Sequence, residues 1–152
     1  QELADALTKE DKALLVRLFI ANIREIEEKL AAGRDNVLLL TEPLCELPVR
    51  ERIFRECIDL YGQIDGTNSV ILIKPHPRDL LDYEDRFSEY IVLDRKFPME
   101  VLNFIEGLIF RRVISVFTVV RNIRFAEEIV YLGEDFMDKY EDPKLHRQNE
   151  EI

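Results

Sequence analysis

The sequence has no tryptophan, two cysteines, two histidines and only five glycines in 152 residues. No glycines stand in a Gly-x-Gly-x-x-Gly or Gly-x-x-x-x-Gly-Lys spacing, so the backbone cradles of a dinucleotide fingerprint and of a P-loop are both missing. Cys45 and Cys57 form no metal-ligand spacing with each other or with His76 and His146, which argues against a structural zinc site. Two lone cysteines instead read as reduced thiols in a reducing compartment. Positive charge is also short: 21 Lys and Arg against 31 Asp and Glu leave a net charge of -10. That balance argues against nucleic acid as the main partner, since phosphate backbones want a basic face. It leaves room for a nucleotide held by a few local cations. No apolar run approaches the roughly 20 residues of a membrane-spanning helix, and no signal peptide is visible. The first residue is Gln, and the expectation is a piece of a longer protein.

What the chain does have is core. Hydrophobic residues make up 47% and charged residues 34%, enough for one folded domain over residues 1–152. Residues 11 to 32 repeat apolar positions at helical spacing (Leu14, Leu15, Leu18, Phe19, Ile23, Ile26, Leu30), predicting one leading helix with an apolar stripe. Thr8 and Asp11 suit a capping box, and Gly33 suits a stop. From residue 37 the pattern changes. Short, uniformly apolar runs at 37–40, 70–73, 91–93, 112–116 and 129–132 predict five strands buried on both faces. Between them lie predicted helices at 48–61, 80–87 (capped by Asp79), 98–105 and 118–126, with an Asp65-Gly66-Thr67-Asn68 turn and a Gly107 stop. Residues 134–152 read as short helix and charged tail. Crossovers of this length predict parallel pairing, hence a doubly wound, Rossmann-like α/β domain with its alternating core over 37–133.

In such a sheet ligands bind beyond the carboxyl ends of the strands, so the residues just after each apolar run are the candidates. After the second run stands Lys74-Pro75-His76-Pro77-Arg78-Asp79. Two prolines stiffen the turn, and two cations flank its imidazole, a combination that suits an anionic ligand such as phosphate. A strand exit with two surface cations explains the same residues as well. After the fourth run, the hydroxyls of Ser115 and Thr118 could hold a phosphate or carboxylate, or Thr118 could simply cap the next helix. Glu100, in a first helical turn beginning at Pro98, suits the macrodipole and could equally accept a ribose diol. Thr41, Glu42 and Glu46 could face the same cleft, and either glutamate could act as a base or be merely solvated. Phe19, Phe54 and Phe104 read as core, and Arg111, Arg112, Arg121 and Arg124 as a solvated mixed-charge face beside Glu127 and Glu128. His146 reads as exposed and inert.

Three of these stretches together carry a resemblance: Ile73-Lys74-Pro75-His76-Pro77-Arg78-Asp79, Phe97-Pro98-Met99-Glu100-Val101-Leu102-Asn103 and Val113-Ile114-Ser115-Val116-Phe117-Thr118. In order and spacing the chain resembles the bacterial sialyltransferases of glycosyltransferase family 52 over residues 37 to 133. Thr41-Glu42-Pro43-Leu44 is similar to that family's Thr-Gln-Pro-Leu loop, with glutamate in place of glutamine. The resemblance implies the carboxyl-terminal, donor-binding half of a GT-B enzyme. It implies a CMP-sugar donor, usually CMP-N-acetylneuraminate, and inverting, metal-independent transfer to a galactose-containing acceptor. It also implies His76 at the donor phosphate as leaving-group acid, Glu100 at the ribose, and Lys74, Pro75, Arg78, Pro98, Ser115 and Thr118 around the nucleotide. The acceptor-binding amino-terminal domain would then lie outside this chain, and the isolated half would transfer little. The implied place is the cytoplasm, peripheral to the inner face of a bacterial membrane. The catalytic base has no assigned residue. Two alternatives stand beside this reading: a CDP-glycerol-type glycerophosphotransferase, which also uses a Lys-x-His-Pro turn, and a non-catalytic domain of the same fold dimerising through its first helix.

Overall fold

A computed structural model describes residues 6–19, 23–30, 35–66, 69–96, 98–105, 108–120 and 123–144. Gly33, Thr67, Asn68, Phe97, Gly107, Arg121 and His146 lie outside the described residues, as do the side chains of Phe19, Ile23 and Leu30. The helices are α1 (Lys9–Phe19), α2 (Ile23–Leu30), α3 (Leu47–Tyr61), α4 (Tyr83–Arg86), a 3-10 helix (Met99–Phe104) and α5 (Gly133–Met137). The strands are β1 (Asn36–Leu40), β2 (Val70–Lys74), β3 (Ile91–Val92), β4 (Phe110–Ser115) and β5 (Ala126–Tyr131).

All five strands pair in parallel, in the order β3-β2-β1-β4-β5. β1 is central because both of its faces are apolar. Val37 and Leu39 point into one core with Ile53, Phe54, Cys57 and Ile58 of α3 and with Ile71, Ile73 and Ile114. Leu38 and Leu40 point into the other, with Val16 of α1, Ile26 of α2, Leu72, Val113 and the 3-10 residues Val101 and Leu102. Each such side chain, taken fully out of water, contributes roughly 1.5–3 kcal/mol, which explains why continuous rather than alternating apolar runs specify this sheet. The architecture is therefore an α/β fold with an all-parallel sheet flanked by helices on both faces.

The Thr8–Asp11 capping box forms as expected. The Thr8 N–H and hydroxyl donate to Asp11 Oδ2 (3.0 and 2.7 Å), and the Asp11 N–H donates back to Thr8 Oγ1 (3.1 Å). Three expectations are corrected. Of the expected apolar stripe of the leading helix, Leu14 and Leu18 are 57% and 70% exposed. They lie across α1 from Val16, the residue buried against the 3-10 helix. The helix expected at 80–87 is the single turn of α4. Asp82 caps it by accepting from the Asp85 N–H at 3.1 Å, and Asp79 is drawn into the interior instead. No helix forms among the described residues of 118–126. The Val119-Val120 pair disfavours one, and the expected cap, Thr118, gives its hydroxyl to Glu42. Arg111 and Arg112 pair with Glu127 and Glu128 across β4 and β5, which gives the mixed-charge face expected there. The short helix expected after residue 133 forms as α5, which buries Met137 fully, with Phe136 and Tyr140 packed alongside its cluster.

Gly62 closes α3 for lack of space rather than for a special torsion. Its φ is -74°, and its N–H donates to the Ile58 carbonyl at 2.7 Å. An added Cβ would lie 2.5 Å from that oxygen and 2.9 Å from Ile71 Cδ1. Gly62→Ala is expected to cost about 1–3 kcal/mol of stability. Urea unfolding checks this, and an unchanged midpoint would contradict it.

Candidate functional site

The sheet order reverses between β1 and β4, so the chains leaving these two neighbours diverge and open a crevice at their carboxyl ends. The segments after β1, β2 and β4 border it. What holds the first two together is Asp79, fully buried just after the His-Pro turn. Its Oδ1 accepts from Arg50 Nη1 (2.6 Å) and the Leu81 N–H (3.1 Å). Its Oδ2 accepts from the Tyr83 hydroxyl (2.6 Å) and, at 3.4 Å, from the Thr41 hydroxyl. Arg50 is itself only 7% exposed, and its other nitrogens donate to the carbonyls of Leu44 and Cys45, each at 2.6 Å. One buried ion pair thus pins the β1 loop, the start of α3 and the β2 turn to one another. Cys45 supports this by taking a left-handed φ of 52°, which turns the loop into α3. Burial and the hydrogen bond to Asp79 push the Tyr83 phenol well above its ordinary range, so it stays a donor.

His76 rides on this frame. Its backbone N–H donates to Thr41 Oγ1 at 3.3 Å, and its Nδ1 accepts the Arg78 N–H at 3.1 Å. With Nδ1 accepting, the ring proton belongs on Nε2. Burial, and then the Arg78 charge, draw the imidazole below its ordinary value, with Glu42 and Asp79 opposing. The resting ring is therefore a neutral Nε2–H donor.

Lys74 is turned inward. Nζ donates to the carbonyls of Pro75 (2.7 Å) and Arg95 (3.2 Å), and burial brings its pKa down to about 8 against the pull of Asp94 and Glu100. Below pH 8 both folded and unfolded chains hold this proton, and the burial cost is constant. Between about 8 and the ordinary 10.5 the unfolded chain holds more of it, so this cost is relieved as pH rises. Burial raises Cys45 and Cys57 to about 11 and 12, so both oppose that trend in the same window. The test is therefore a difference. Relative to Lys74→Met, the wild-type chain is expected to gain stability from pH 8 to 10.5. A flat difference would contradict the burial of a charged Lys74.

Across the crevice, Glu42 is 9% exposed and reaches the β4 loop. Its Oε1 accepts from the Phe117 N–H (3.0 Å) and from both the N–H and hydroxyl of Thr118. Ser115, fully buried, donates its hydroxyl to the Thr118 carbonyl at 2.6 Å. Thr41, Glu42, His76, Ser115 and Thr118 thus lie together at the carboxyl ends of β1, β2 and β4, with Ser115 and Lys74 buried. Pro75 is buried in the turn, while Arg78, Pro98, Glu100 and Glu46 are exposed. Glu46 precedes α3 without a side-chain cap. Sequence reasoning missed Arg50, Asp79 and Tyr83 as a unit. One signal was present: Arg50 occupies the apolar stripe of α3, three and four residues before Ile53 and Phe54.

No group of three or more His, Cys, Asp or Glu among the described residues could hold a metal ion. No helix among them is long and apolar enough to cross a membrane. No protein-family model matches the chain, and no solved structure matches it. An uncharacterized protein of Haemophilus influenzae is 32% identical over 131 residues, which cover 83% of this chain and 40% of that protein. The chain therefore spans about two fifths of the length of the curated relative it matches.

Proposed function

We propose that this chain is the donor-binding half of a GT-B glycosyltransferase similar to the family 52 sialyltransferases, binding a cytidine monophosphate sugar, CMP-N-acetylneuraminate first among them. One observation carries the reading: around the reversal point of the parallel sheet, the turn carrying His76 and the backbone and hydroxyl donors at 117–118 are both bonded to the loop after β1. A phosphate there would accept from His76 Nε2–H and from the β4 loop. Glu100, at the crevice edge, would accept the ribose hydroxyls. The matching length supports the two-domain form, since the Haemophilus relative continues well beyond the shared region.

In the proposed reaction the bond between the anomeric carbon and the phosphate oxygen breaks, and its electron pair leaves on CMP. An acceptor hydroxyl of a galactose-containing glycan forms the new bond from the opposite face and gives its proton to a base outside the residues named here. His76 supplies a hydrogen bond, and then a proton, to the departing phosphate. The donor phosphate is a monoanionic diester whose second charge grows as the bond breaks. That charge raises the imidazole pKa, so the ring takes up a solvent proton at Nδ1, delivers Nε2–H to the leaving phosphate and ends neutral. The enzyme would work in the cytoplasm, where it meets nucleotide sugars, at the membrane's inner face. A donor screen with the full-length protein and a galactose-terminated acceptor tests the reading. Transfer from CMP-N-acetylneuraminate is expected. Transfer from CDP-glycerol alone would overturn it.

A further inference from the structure

We infer that Glu42 is a displaceable internal occupant of an oxyanion site, and that a phosphate monoester binds this protein by exchanging with the Glu42 carboxylate. Three donors converge on the single oxygen Oε1: the Phe117 N–H, the Thr118 N–H and the Thr118 hydroxyl. Both N–H groups belong to a segment without regular structure. Three donors aimed at one oxygen are the arrangement that receives an oxyanion. The atom filling it comes from the far side of the reversal point, on the loop after β1, so the contact closes the crevice mouth rather than strengthening one element. The carboxylate also lies within the electrostatic reach of His76. An anion replacing it would thus act on the His76 ring as the carboxylate does.

The exchange keeps every donor paired. It substitutes a ligand oxygen for the Glu42 oxygen, and the freed carboxylate turns to solvent at the crevice mouth. The site is competent only in the fraction of molecules in which Glu42 has swung away, and the apparent affinity is reduced by that fraction. The identity of the anion as a cytidine phosphate rests on the function proposed above. The exchange itself rests on the donors alone.

Calorimetric titrations of the wild-type chain, Glu42→Ala and Glu42→Gln with CMP, cytidine and inorganic phosphate separate the two. Glu42→Ala is expected to bind CMP about 10-fold or more tightly than wild type, matching a minor open state of a tenth or less. Its cytidine affinity should be unchanged. Glu42→Gln, which keeps an acceptor oxygen without the charge, should fall between and guards against a folding defect in the alanine variant. Wild-type binding of CMP that stays equal or weakens in both variants would overturn the exchange while leaving the nucleotide reading intact. A gain for inorganic phosphate in Glu42→Ala, with no binding of CMP or cytidine by any form, would support the exchange and overturn the nucleotide reading. No binding of any probe to either variant would overturn both.

Discussion

Asp79→Ala is expected to destabilise the domain by about 3–5 kcal/mol, the cost of leaving a buried charge without its partner. Arg50 Nη1 meets Asp79 at 2.6 Å, with the two side chains 8% and 0% exposed. The alanine variant strands the guanidinium in the interior and also removes the acceptor of the Leu81 N–H and the Tyr83 hydroxyl. A domain holds only about 5–15 kcal/mol in total, so a loss of this size should shift the urea midpoint strongly. Asp79→Asn keeps an oxygen for Arg50 and should lose less. The effect is also local. The Thr41 loop and the His-Pro turn are joined through this pair, so His76 and Thr41 resonances should broaden or move even in whatever fraction stays folded. A loss under about 1 kcal/mol, the worth of an exposed ion pair, would show that the pair is not the frame described.

His76→Ala carries the second large effect. In the full-length protein with its donor and acceptor, loss of a positioned acid is expected to lower transfer by about 10²- to 10⁴-fold. On this chain alone the same change removes a hydrogen bond to a charged group, worth about 1.5–3 kcal/mol, so CMP affinity should drop roughly 10- to 100-fold. The ring accepts a hydrogen bond from the Arg78 N–H at 3.1 Å, and the residue is partly exposed. Stability should therefore change little, which separates a role at the ligand from a role in folding. Transfer at an undiminished rate would remove His76 from the reaction.

These two residues also show where a sequence can be read and where it cannot. His76 is legible because it follows a continuous apolar strand and sits between two prolines, both local features. The strands are legible for the same reason: four consecutive buried side chains in β1 leave little alternative to a sheet covered on both faces. Ser115 and Thr118 were placed by their position at a strand end, but their engagement was not visible. Nothing local says that Glu42, some 75 residues away, would take the β4 loop donors. Asp79 reads as a helix cap because aspartate after a turn usually is one. Its partner Arg50 lies 29 residues back, and pairing at that distance follows from topology. Periodicity failed in α1 for a related reason. An apolar spacing shows that a helix has an apolar side, but Leu14 and Leu18 on one side and Val16 on the other offer two, and only packing against the 3-10 helix chooses.

The central claim is that the crevice between β1 and β4 takes a cytidine nucleotide at its carboxyl edge. An amide and side-chain NMR titration of this chain with CMP into the millimolar range tests it most directly. The account predicts saturable shifts that cluster at His76, Glu100, Ser115 and the 117–118 amides, with an upward movement of the His76 pKa as the phosphate arrives. Spectra that stay unchanged across that range, or shifts confined to residues away from these loops, would contradict it.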